Sequence, residues 1–109
     1  MMNRFKSLTG NSGINRNDEG NRVVITVIGP DRVGIIAAVS AILAENKINI
    51  LDISQTIMQE FFVMVLVADM EKATVDLVAL KELLNTEGEK LKMRIDVQHE
   101  DVFNYMHRI

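Results

Sequence analysis

The sequence predicts an α+β fold: a ferredoxin-like βαββαβ sandwich, with a four-stranded antiparallel sheet, two helices on one face and a short C-terminal helix. Three observations carry that prediction. Segments rich in β-branched residues recur at strand length. Two stretches of 3.6-residue apolar periodicity stand after the first and third of them, each able to serve as a right-handed crossover. The second and third strands meet at Gln59-Glu60, read as a hairpin turn despite its lack of a strong turn signature, which completes the split βαβ pattern.

The first strand covers Arg22 to Ile28, apolar in both phases (Val23, Ile25, Val27 against Val24, Ile28), so cover is expected on both faces. Gly29-Pro30 is read as its end. From Val33 onward Ile35, Ile36, Val39, Ile42 and Leu43 fall at helical spacing, with Ala37, Ala38, Ala41 and Ala44 on the other side. Asn46 is the expected terminator. Lys47 to Gln59 reads as the second strand. Its apolar phase changes between Ile50 and Leu51, which predicts a bulge there. Glu60 to Asp69 is the third strand. Val75, Val78, Leu83 and Leu84 mark a second helix, with Thr74 as the expected cap and Gly88 as the expected stop. Leu91, Met93, Ile95 and Val97 alternate with polar residues as a half-buried fourth strand. Val102, Phe103, Met106 and Ile109 then fit a terminal helix over 100–109.

At 109 residues the chain has room for one core, and residues 22–109 are expected to form a single domain. Residues 1–21 are rich in Asn, Gly and Ser and aperiodic; they are read as a disordered leader or an extension from cloning or start-site choice. A net charge of -3 gives no footprint for nucleic acid or an anionic membrane. No cysteine is present, which excludes disulfides and thiolate chemistry and fits a reducing cytoplasm. The longest apolar run, Val33 to Ala44, falls short of the ~20 residues a bilayer requires.

The turn after the first strand concentrates the chemistry. Asp31 precedes a helix start whose free amides, around Val33 and Gly34, suit a carboxylate. Asp31 itself suits an ammonium group. Asn49, expected back beside the turn at the start of the second strand, offers a donor and an acceptor. Together these describe a zwitterion site. The same residues also fit a purely local role, with Asp31 capping, Gly34 shaping the turn and Asn49 satisfying backbone.

Gly29-Pro30-Asp31-Arg32-Val33-Gly34-Ile35-Ile36, Leu43-Ala44-Glu45-Asn46 and Ile48-Asn49-Ile50 resemble the signature of ACT domains. Asn49 to Thr56 and the ending Val102-Phe103 to Met106-His107-Arg108-Ile109 resemble the stand-alone, single-ACT proteins of the UPF0237 family. The resemblance implies a regulatory module that binds an amino acid or similar small effector at this turn, often across a homodimer interface. It places Gly29, Asp31, Arg32, Val33, Gly34 and Asn49 in the ligand site. In serine-binding members, a histidine stands at the position of Gly29 and an asparagine at that of Asp31, so the resemblance carries the location rather than the ligand.

Other constellations are weaker. His99 and His107, with Glu100 and Asp101, match no helical metal-ligand spacing, and no metal or cofactor is expected. No nucleophile, base and acid stand in a catalytic pattern, so an enzyme is not expected. Asp52, within an apolar strand, is read as hydrogen-bonded to Ser54 or Thr56. RNA binding is disfavoured, because Phe61 and Phe62 open their strand without a basic frame. The apolar second sheet face argues for a homodimer, and the terminal helix offers a surface for a protein partner. The competing reading is a dimerising or protein-interaction scaffold that binds no small molecule.

Overall fold

The computed structural model describes residues 21–106. Strand β1 (Arg22–Pro30) leads into helix α1 (Ile35–Glu45). The hairpin of β2 (Asn49–Met58) and β3 (Phe61–Asp69) follows, then α2 (Leu77–Leu91), β4 (Arg94–His99) and α3 (Glu100–Met106). The strands form one sheet in the order β2-β3-β1-β4, antiparallel at every pairing. This is the βαββαβ sandwich the sequence predicts. Residues 1–20 and 107–109 lie outside the described residues, and with them the expected leader and the last part of the 100–109 helix.

The core lies between the helices and one sheet face. Val23, Ile25 and Val27 of β1 point into it with Met64 and Leu66 of β3 and Ile95 and Val97 of β4. They meet Ile35, Val39 and Leu43 of α1 and Leu80 and Leu84 of α2. The helix positions recur every three to four residues, as a single buried stripe demands. On the other sheet face lie Val24, Thr26 and Ile28. There α3 packs on β1 and β4, and its Phe103 and Met106 share a cavity with those residues. Arg22 and Glu100, 2% and 5% exposed, stand 3.8 Å apart (Nη1 to Oε2) at the start of α3. Thus the chain itself supplies part of the cover that two apolar phases require.

Several boundaries differ from the sequence reading. Strand β1 does not stop at Gly29: Gly29 pairs with Phe62 and Pro30 with Phe61. The partnership with β4 ends at Ile28–Arg94, so the missing N–H of Pro30 disrupts no ladder on that side. Strand β2 begins at Asn49 rather than Lys47, because Lys47 is left-handed (φ 59°) and Ile48 N–H returns to Leu43 O at 2.9 Å. Asn46 does end α1, donating from Nδ2 to Ile42 O at 2.7 Å. The expected bulge is present, as the β2–β3 register shifts between Ile50 and Asp52. The hairpin turns where expected, at Gln59 (φ 58°).

Helix α2 corrects two expectations. Its cap is Asp76, whose carboxylate accepts from Ala79 N–H at 2.9 Å, rather than Thr74. Thr74 instead bridges to Asn46, its N–H reaching Asn46 O at 2.9 Å. Nor does Gly88 end the helix, which continues to Leu91 and closes on left-handed Lys92. Gly88 is buried where α2 meets the start of β4. A Cβ there would sit 2.7 Å from Met93 O, and Met93 N–H donates to Gly88 O at 2.8 Å. The fourth strand therefore starts at Arg94, not Leu91.

Alanine at Gly88 should gain about 1 kcal/mol of helix propensity. It must also displace backbone, and overpacking of that kind costs about 1–3 kcal/mol. Calorimetry of Gly88→Ala should show a net loss near ~1 kcal/mol and a Tm lower by roughly 5 °C; an unchanged or higher Tm would refute the close approach. Asp76→Ala should cost about 1 kcal/mol as a lost cap, and Thr74→Ala only a few tenths. Equal losses from the two would contradict the assignment.

Candidate functional site

The site is built where the chain leaves β1. Asp31 N–H donates to Glu60 O at 3.0 Å, tying the turn to the β2–β3 hairpin. Arg32 donates from Nη1 to Leu91 O at 2.7 Å, at the carbonyl end of α2, where a cation is favoured. The turn is thus held from both sides. Val33 between them is fully exposed.

Gly34 closes the turn with φ 91° and ψ 2° as the N-cap of α1. Nothing lies within 4 Å of where its Cβ would be, so the backbone angle, not lack of space, favours glycine there. A glycine cap brings no side chain, and the first turn of α1 contains no acidic residue. The first helical bond runs from Ala38 N–H to Gly34 O at 2.9 Å. The amides of Ile35, Ile36 and Ala37 precede it with no side-chain cap, at the positive end of the helix dipole. The sequence reading placed free amides around Val33 and Gly34; with Gly34 as the cap, those of Ile35 to Ala37 extend the set.

These residues form one bank of a groove of about 690 Å³. Asp31, Arg32, Gly34, Ile35, Ile36 and Ala37 come from the turn and α1; Gln55, Thr56, Ile57 and Phe62 come from the hairpin. Phe62 is buried beneath it. The Asp31 carboxylate has no hydrogen-bond or ion-pair partner among the described residues. The groove therefore offers amide donors and a carboxylate acceptor a short way apart, over an apolar floor.

Of the sequence candidates, Asp31, Arg32 and Gly34 meet here. Gly29 does not. It is buried beside β4, where a Cβ would stand 2.6 Å from Met93 Sδ, so its smallness serves packing. Asn49 is also elsewhere. It pairs with Asp69, which pairs with Arg22, at the opposite end of the sheet from Gly29. Seven residues of strand separate those levels, about 23 Å. The expectation that β2 returns Asn49 to the turn of its own chain is overturned by the antiparallel order.

Gln55 was missed. After the bulge, Ile53, Gln55 and Ile57 share the helix-facing phase, opposite Leu66, Met64 and Phe62. A lone amide in an otherwise apolar phase was the available signal. Asp52 Oδ1 accepts from Ile53 N–H at 2.9 Å, so the carboxylate engages the backbone of its own strand. His99 Nδ1 accepts from Asp101 N–H at 3.1 Å, and Glu100 faces Arg22. No cluster of three metal-ligating residues occurs among the described residues, and His107 lies outside them. No helix among them is long and apolar enough to cross a membrane.

The ACT domain family model matches residues 21–98. A UPF0237 protein of Methanocaldococcus jannaschii is 55% identical over 89 residues, covering 82% of this chain and 99% of its own. A UPF0237 protein of Clostridium acetobutylicum is 53% identical over 88 residues, covering 81% and 99%. Among solved structures, an ACT domain protein from Streptococcus pneumoniae matches with a TM-score of 0.69 at 36% identity, covering 77% of this chain and 94% of that one. With this fold, this turn and these relatives, the chain belongs to the ACT domain family, among its small UPF0237 members.

Proposed function

We propose that the protein is a non-catalytic regulatory domain that senses a free amino acid or similar small metabolite in the groove between the turn and the β2–β3 hairpin. The observation that carries this reading is the uncapped start of α1 facing the groove that also holds Asp31. A ligand carboxylate satisfies the amides of Ile35 to Ala37, and its ammonium pairs with Asp31. Membership of the ACT family supports the same location.

The reading includes a cytoplasmic homodimer. Strand β2 is the sheet edge, and its sequence from Asn49 to Met58 carries neither Lys nor Pro to block pairing. Two such edges joined antiparallel about Ile53 would set Asn49 of a second copy opposite Ile57, restoring Asn49 to the groove from across the seam. Ligand binding and self-association would then be linked. A second reading, a scaffold that binds proteins and no small molecule, is favoured by the exposed Val102, Tyr105 and Met106 on α3.

Thermal-shift screening of the free amino acids tests the proposal. A ligand at ten times its Kd should stabilise by about 1.4 kcal/mol, raising the Tm by roughly 5–10 °C. Asp31→Asn should abolish the shift while leaving the ligand-free Tm unchanged. A flat response to every amino acid, with a captured partner lost on removal of α3, favours the scaffold.

A further inference from the structure

We infer that the groove selects amino acids with a large apolar side chain, such as leucine, isoleucine or phenylalanine, over small polar and charged ones. The inference rests on the reading above that the groove holds a free amino acid. Once the amides of α1 and Asp31 hold the ligand's carboxylate and ammonium, the apolar surfaces left for its side chain are Ile36, Ile57 and Phe62, with Gln55 and Thr56 beside them on the hairpin. Phe62 is 5% exposed and forms the floor. Ile36 on α1 and Ile57 on β2 are 38% and 58% exposed. An apolar side chain lying between them removes that surface from water, and each methylene so buried is worth about fourfold in affinity.

Charge argues the same way. The charged residues lining the groove are Asp31 and Arg32, and Arg32 is engaged at Leu91 O. A ligand with a second carboxylate would meet Asp31 and repulsion. One with a second ammonium would bring two cations to one carboxylate and bury the surplus against isoleucine. Serine would fit sterically, since about 690 Å³ is far more than it fills, but it leaves both isoleucines wet. Asp31 turns charged side chains away, and preference among the uncharged ones falls to the rest of the lining, which is apolar except for Gln55 and Thr56.

Isothermal titration of the full chain with L-leucine, L-isoleucine, L-phenylalanine, L-serine, L-aspartate and L-lysine tests this. The apolar ligands should bind at least about tenfold more tightly than the others. Ile57→Ser should erase most of that advantage while leaving the serine affinity unchanged. Ile36→Ser, on the other bank, should do the same, which guards against a folding defect in either variant. Serine, aspartate or lysine binding as tightly as leucine would overturn this inference and leave the amino-acid site standing. Leucine preference surviving both substitutions would also overturn it. Binding of no amino acid would overturn both.

Discussion

The simultaneous pairing of β1 with β3 and β4 is the constraint on which the molecule depends. It makes β1 a central strand, and Val23, Val24, Ile25 and Val27 are almost wholly buried as a result. One set of alternate residues faces α1 and α2, and the other is partly covered by α3. The same pairing decides where the chain leaves the sheet. Beyond Ile28 the β4 partner ends, while the β3 partner persists to Phe61, so the strand runs on to Pro30 against one neighbour alone. The turn is thereby delivered over the β2–β3 hairpin, with Asp31 bonded to Glu60. A groove between the hairpin and α1 follows from that register.

The two main helices begin in opposite ways, and the contrast has a physical meaning. Helix α2 satisfies an end amide with its own Asp76. Helix α1 begins with a left-handed glycine that has no side chain to offer, and no acid follows in its first turn. Such an end is left for water or a ligand. Arg32 adds a mechanical consequence. By holding Leu91 O it joins the turn to the far end of α2, so any displacement of the turn would be felt at a second helix.

Much of this was legible in the sequence. The alternation of Ile95 and Val97 with Arg94 and Asp96, the phase change at Ile50-Leu51 and the helical spacing of Ile35, Val39 and Leu43 each yielded an element or irregularity that the structure contains. Boundaries set by tertiary contact were not. Gly88 reads as a stop by local chemistry, yet it is a close-packing position whose neighbour, Met93, arrives from the next strand. Gly29 misleads in the same way, through the same methionine. Asn49 is the larger lesson: its place near the turn depended on which end of β2 meets which end of β1, and an edge strand reached through β3 lies with its start at the far end. Gln55 was hidden because its importance depends on the groove wall opposite it, which no local pattern reports.

In the proposed function, the open start of α1 receives the carboxylate of an amino acid while Asp31 receives its ammonium. The most direct test is a backbone-amide NMR titration of the isotope-labelled protein with the free amino acids in turn, L-leucine first. Saturable shifts are expected, largest at the amides of Ile35, Ile36 and Ala37, with smaller ones at Gln55 and Ile57 and none around Asn46 or Thr74. Shifts centred on α3 and the sheet face it covers, or no saturable shift at the start of α1, would contradict it.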